Sequence, residues 1–82
     1  MILVDIYVPA LDKVYDFQVD ETIQTGKIIM EIAEMISNDV KSEKDFGAGK
    51  LLLCSMEQEK ILEKNKSLQE YGIKNGFRLL LV

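Results

Sequence analysis

The chain has 82 residues, of which 48% are apolar and 29% are charged, a composition ordinary for a water-soluble globular protein. This length predicts one domain over residues 1–82 with a small core. The net charge of −4 argues against nucleic acid as the main partner, because phosphate backbones attract basic surfaces. Cys54 is the only cysteine, so a disulfide within the chain is excluded and a cytoplasmic location is expected.

The first predicted element is a strand over residues 2–8, where apolar side chains recur at every second position. This stretch contains Asp5 and is too short for a membrane span or a signal peptide. Pro9 lacks a backbone N–H group and should end the strand. A second alternating stretch at residues 14–19 predicts a partner strand, and the two should form a hairpin.

The period then changes from two residues to that of a helix. Apolar residues between 28 and 36 fall on one arc of a helical wheel, which predicts an amphipathic helix from about residue 23 to residue 38. Asp20 or Thr22 is the predicted N-terminal cap, since either side chain accepts hydrogen bonds from backbone N–H groups. Gly26 near the start costs about 1 kcal/mol relative to alanine, and the sequence offers no reason for it.

The second half of the chain begins with a predicted polar loop over residues 37–49, followed by a strand at residues 50–54. Phe46 in the loop is predicted to be a core residue together with Leu51 and Leu53. A short strand is predicted at residues 60–62.

The last eighteen residues combine three signals. Ser67 with Glu70 three residues later predicts a capped helical turn at residues 67–71, and Asn75-Gly76 predicts a turn. The final strand, residues 77–82, is apolar on both sides. Strands of this kind are usually central in a sheet and often run parallel to a neighbour.

The predicted order of elements resembles the ubiquitin-like β-grasp. It consists of two strands, a helix, two strands, a turn and a last strand. "VDETI" at residues 19–23 is similar to the strand-to-helix junction of that family. Leu68, Tyr71 and Ile73 are similar to its Leu-x-x-Tyr-x-Ile turn. The resemblance implies an α+β fold, in which a mixed sheet of four to five strands carries one main helix on one face.

Within that group the chain most resembles the YukD type. "KIIMEIAEMI" at residues 27–36 is similar to the helix of these proteins, and "GIKNGFRL" at residues 72–79 is similar to their ending. The resemblance implies a bacterial cytoplasmic accessory component of type VII secretion, or a docking domain of the same fold appended to a membrane protein of that system.

The chain departs from ubiquitin at its end, because Val82 completes the last strand and no Gly-Gly tail follows. A ubiquitin-like modifier or sulfur carrier, activated at its C-terminus, is an alternative that requires a further segment after Val82. A second alternative is a regulatory domain that pairs with signalling proteins along the edge of the second strand, near Asp16 and Gln18.

Residues for catalysis are scarce. Histidine is absent, Cys54 in a leucine-rich strand is interpreted as an inert thiol, and the paired carboxylates lie in polar turns. The Gly-Ala-Gly-Lys run at residues 47–50 lacks the spacing and the following helix of a phosphate loop. The sequence therefore predicts a protein that is not an enzyme and has no cofactor or metal site.

A β-grasp helix shields only one face of its sheet, and the sequence places apolar side chains on both. One set is predicted to form the core. It consists of Ile2, Val4, Ile6, Phe17, Ile29, Ile32, Ile36, Leu68, Leu79 and Leu81. The opposite set is predicted to form one continuous surface that binds a protein partner, a secretion-system component, with self-association left open. It consists of Leu3, Tyr7, Leu52, Leu80 and Val82, next to Val14.

Overall fold

The structure is a computed structural model that describes residues 1–40 and 50–82. Phe46 and residues 41–49 of the predicted loop lie outside the described residues, so the assignment of Phe46 to the core stays a prediction. Five strands and one main helix follow in the order β1 Ile2–Val8, β2 Lys13–Val19, α1 Thr25–Val40, β3 Leu53–Ser55, β4 Lys60–Ile61 and β5 Arg78–Leu81.

The strands form one mixed sheet in the order β2-β1-β5-β3-β4. Strand β5 runs parallel to β1 and antiparallel to β3, so the prediction of a central, parallel final strand is confirmed. Beyond β5, Val82 and Leu52 exchange two backbone hydrogen bonds, with N···O distances of 2.6 and 2.9 Å. These bonds hold the end of the strand in place.

The start of the helix differs from the prediction. Asp20 accepts hydrogen bonds from the backbone N–H and the hydroxyl of Thr22, which closes a turn before the helix instead of capping it. The first free N–H groups of α1 bind carbonyl oxygens from a distant segment, Thr25 to Lys66 at 2.8 Å and Gly26 to Lys64 at 3.0 Å. The helix is therefore capped by the main chain that precedes β5, and the predicted side-chain cap was wrong.

This contact explains Gly26. A Cβ atom at this position would lie 3.2 Å from both Cβ and the carbonyl oxygen of Lys64, closer than side chains normally pack. The neighbouring Thr25 is fully buried, and its hydroxyl donates to Lys66 O at 2.7 Å. The glycine therefore permits a close approach between two backbones.

The predicted boundaries shift by one to three residues elsewhere. Helix α1 begins and ends two residues later than expected, at Thr25 and Val40, and β3 begins at Leu53, not at residue 50. The fourth strand ends at Ile61, and Leu62 turns into the core, where it is 1% exposed.

One face of the sheet packs on α1 and forms the core. The predicted core is confirmed except for Ile2, which is only half-buried because it begins the outer hairpin opposite Val19. Leu53 is fully buried, as predicted, whereas Leu51 is half-buried at its edge. The core residues are Val4, Ile6, Val8, Phe17, Val19, Ile28, Ile29, Ile32, Ile36, Leu53, Leu62, Leu68, Ile73, Leu79 and Leu81.

The segment before β5 is held by local hydrogen bonds. Ser67 N–H donates to Glu70 Oε2 at 2.7 Å, and Glu70 N–H donates to Ser67 Oγ at 3.3 Å, which is the predicted capping box. Asn75 Oδ1 accepts from Leu3 N–H at 2.6 Å. Gly76 adopts φ 83° and donates its N–H to Leu3 O at 2.8 Å, so this turn fixes the start of β1.

Candidate protein-interaction face

The sheet face opposite the helix carries a line of side chains that crosses all five strands. In the strand register, Val14 pairs with Tyr7, Tyr7 with Leu80, Leu80 with Cys54, and Cys54 with Ile61. Each strand contributes one of these residues. Because paired residues project to the same side of a sheet, they form one uninterrupted line, which we call the apolar row.

The two ends of the apolar row are its most exposed parts. Val14 is 63% exposed and Ile61 is 59% exposed, whereas Tyr7, Leu80 and Cys54 are half-buried by their neighbours. The hydroxyl of Tyr7 donates to Asp12 Oδ1 at 3.2 Å. This bond and the charge of Asp12 raise the pKa of Tyr7 above its ordinary value. The hydrogen bond also gives the hydroxyl a partner while the ring stays in the apolar row.

A hollow of about 300 Å³ lies at the β3–β4 end of the apolar row. It is lined by Cys54, Ser55, Met56, Glu59, Lys60, Ile61 and Leu80. Met56 is 42% exposed. Apolar side chains with a few polar and charged groups are the usual lining of a site that accepts an apolar group.

A second line of residues runs beside the apolar row, two residues away from it along β1, β2 and β5. Asp16 pairs with Asp5, and Asp5 pairs with Arg78; we call these three residues the charged row. Arg78 Nε lies 3.2 Å from Glu57 Oε1, and Arg78 N–H also donates to the Glu57 carboxylate. A smaller hollow of about 210 Å³ between the two rows is lined by Asp5, Tyr7, Val14, Met56, Arg78 and Leu79.

The two carboxyl groups of the charged row interact directly. A hydrogen bond with Asp16, partial desolvation and the charge of Asp16 raise the pKa of Asp5, and Arg78 opposes this shift. The carboxyl group of Asp5 therefore holds its proton to a higher pH than an isolated aspartate does.

The predicted interaction residues separate into two groups. Leu52 and Val82, 38% and 48% exposed, pair with each other two positions from Leu80 and Cys54, so they lie beside the apolar row on the side away from the charged row. Leu3 is 48% exposed but lies opposite Gln18, on the far side of the charged row from Tyr7. The prediction of one continuous surface was therefore wrong for Leu3, because Asp5 interrupts the apolar positions of β1.

Sequence reasoning missed three residues on this face. Ile61 belongs to a two-residue strand, which is too short to show alternation. Cys54 was interpreted as an inert strand thiol, but it projects into the larger hollow. Met56 follows β3 in a turn. The only available signal was the alternation of Leu52, Cys54 and Met56 against the buried Leu53 and Ser55.

The mixed five-stranded sheet, the main helix packed on one face and the central parallel last strand define a ubiquitin-like β-grasp protein. A ubiquitin-like domain of an Arabidopsis thaliana protein has a TM-score of 0.75 and 18% identity, covering 99% of this chain and 74% of that one. The N-terminal ubiquitin-like domain of the 4931431F19Rik protein has a TM-score of 0.72 and 22% identity, covering 99% and 72%. At these identities the likeness concerns the fold alone.

The family is shown by the sequence. Residues 3–81 match the YukD family, described as "WXG100 protein secretion system (Wss), protein YukD". The chain belongs to the YukD family, and it is a ubiquitin-like module tied to that secretion system. A comparison with curated proteins found no match. Within residues 1–40 and 50–82, no helix has both the length and the apolar character needed to cross a membrane.

Proposed function

We propose that this protein is a non-enzymatic interaction module, a cytoplasmic accessory component of a WXG100 (type VII) secretion system that docks on another component through the open sheet face. The exposed apolar row is the observation that carries this proposal. It joins all five strands of the sheet, and its two end residues, Val14 and Ile61, are 63% and 59% exposed.

The exposed ends of the apolar row favour a partner at this face. Exposed side chains of Val14 and Ile61 leave apolar surface in water, which costs about 25 cal/mol for each Å² that burial would remove from contact with water. The hollow beside Leu80 adds a site for an anchoring side chain, and such buried anchors supply much of the affinity in protein interfaces. A partner that covers the row recovers this free energy, and it would recruit the module to the membrane if the partner itself is anchored there.

A binding experiment tests the proposal with defined partners. The cytoplasmic segments of the membrane proteins encoded with this chain are purified and titrated with wild type, Val14→Asp and Ile61→Asp. Each substitution should weaken binding about tenfold or more, because it places a charge in a desolvated interface. Met30→Asp is the matched control, since Met30 is 62% exposed on helix α1 and lies on the other side of the molecule.

The proposal fails if Met30→Asp weakens binding as strongly as the row variants do, or if the row variants bind like wild type. Pairing along the free edge of β2 is the competing geometry. It would protect backbone amides of β2 from hydrogen exchange and leave the side-chain methyl signals of Leu80 and Ile61 unshifted.

A further inference from the structure

Charge is unevenly distributed over the open face, and negative charge is in excess next to the apolar row. On the β1–β2 half, the side chains of Asp5 and Asp16 share this face, and Asp12 meets it through the hydroxyl of Tyr7. The one lysine of these two strands, Lys13, pairs with Val8, which is buried in the core. Lys13 therefore belongs to the helix side of the sheet and not to the open face. Among the described residues, this half of the face therefore has three carboxylates and no basic side chain of its own.

The nearest cation does not balance these charges. Arg78 lies beside Asp5 in the register, but its Nε is engaged by Glu57 at 3.2 Å. When ionised, the three carboxyl groups of Asp5, Asp16 and Glu57 outnumber the one guanidinium of Arg78, which leaves an excess of two negative charges. Like charges directly opposite each other in a sheet are destabilising, so the protein retains an unfavourable pair at the border of its docking face.

The spacing of the two rows limits what could cover both. The rows are separated by two residues along each strand, about 7 Å. An α-helix with its side chains is about 10–12 Å in diameter, so a helix that lies along the apolar row also places side chains from the flank of its apolar stripe over the charged row. The apolar row spans four strand spacings, about 19 Å, which corresponds to about 13 helical residues.

We propose that the occupant of the open face is an amphipathic helix of the partner whose apolar stripe covers the apolar row and whose lysine or arginine side chains lie over Asp5 and Asp16. This inference rests on the proposed docking function and specifies the chemistry of the partner. A second copy of this chain fits poorly, because it would bring another molecule of net charge −4 with the same carboxylates to the face.

The test uses two synthetic peptides of 14 residues with leucine at helical spacing, one completed with lysine and one with glutamate. Each is titrated into isotope-labelled protein while NMR signals are followed. The lysine peptide should shift the signals of Tyr7, Leu80 and Ile61, and the glutamate peptide should not. Binding of the lysine peptide should weaken about threefold to tenfold in the double variant Asp5→Asn, Asp16→Asn.

Matched charge removal separates a local effect from a general one. Glu31→Gln, Glu34→Gln removes two negative charges from exposed positions of α1, so its affinity should stay within about twofold of wild type. The Asp5→Asn, Asp16→Asn variant should also fold, since it removes a repulsion. Equal affinity of the two double variants, or equal binding of both peptides, overturns the inference.

Two further outcomes distinguish this inference from the function on which it rests. If the lysine peptide fails while Ile61→Asp still abolishes binding of a secretion component, the docking face stands and the basic helix does not. Self-association in sedimentation that is lost in Ile61→Asp would assign the face to a second copy and would also overturn the inference.

Discussion

Asp5 and Asp16 lie directly opposite each other on β1 and β2, and their interaction raises the pKa of Asp5 above 3.8. A carboxyl group with a raised pKa in the folded state binds its proton more tightly there than in the unfolded chain. Its contribution to stability is therefore present below about pH 4 and is lost as the pH rises through the raised value.

Asp5→Asn should consequently make the protein more stable than wild type at neutral pH, because it removes the ionised partner of Asp16. The advantage should shrink as the pH falls toward the ordinary pKa of an aspartate, where wild type is protonated. Urea unfolding at several values between about pH 3 and about pH 7 measures both effects. Glu34→Gln on the exposed side of α1 is the control, and an equal gain there would assign the effect to net charge.

Gly26→Ala should destabilise the protein although alanine is the better helix former. The new Cβ atom would meet Lys64 O at 3.2 Å, and that carbonyl cannot retreat without lengthening its bond from Gly26 N–H. The expected loss of about 1–3 kcal/mol for overpacking is larger, over most of its range, than the gain of about 1 kcal/mol in helix propensity. Thermal unfolding compares it with Lys27→Ala, which should be nearly neutral. A more stable Gly26→Ala protein would show that residues 63–66 move away from the helix at little cost in free energy.

Leu79→Ala should cost about 2–5 kcal/mol, because Leu79 is 1% exposed in the central strand and its removal leaves a cavity. Leu52→Ala is the companion variant. Leu52 is 38% exposed on the open face, so the same truncation there should cost less than about 1 kcal/mol. Chemical denaturation of both variants measures the difference, and equal losses would contradict the assignment of the two faces.

Ser67→Ala should cost about 0.5–2 kcal/mol, because Glu70 N–H loses its acceptor in the capping box. Glu70→Gln should cost less, since the amide oxygen still accepts from Ser67 N–H. Denaturation midpoints rank the three proteins. A larger effect at Glu70 would indicate that the carboxylate charge, and not the hydrogen-bond geometry, stabilises this turn.

Local patterns were sufficient to predict the type of each element. The alternation around Val4 and Phe17 and the helical spacing around Ile32 each follow from packing against one core, so they are visible in a single sequence. The central position of β5 was predicted from a different signal, because strands that are apolar in both phases are usually central and often parallel.

The failures were contacts between distant residues. The helix cap joins Gly26 to Lys64 through main-chain atoms, and backbone groups leave no signature in the residue types. The interruption of the open face is an exception, because Asp5 lies between Leu3 and Tyr7 in the same phase of β1 and is visible from alternation alone. The apolar row required Ile61, whose strand has only two residues. Alternation assigns a residue to a face, but only the register determines which residues on that face are neighbours.

The order of synthesis adds a consequence of the central strand. Strand β5, Arg78–Leu81, joins the β1–β2 hairpin to β3 and β4. It leaves the ribosome after the other four strands of the sheet. A nascent chain that still holds this segment in the exit tunnel presents two unjoined pieces of sheet with open edges, the kind of surface that chaperones protect. The sheet is completed only when this strand has left the tunnel, so its two parts should join in one late step after the other strands have emerged.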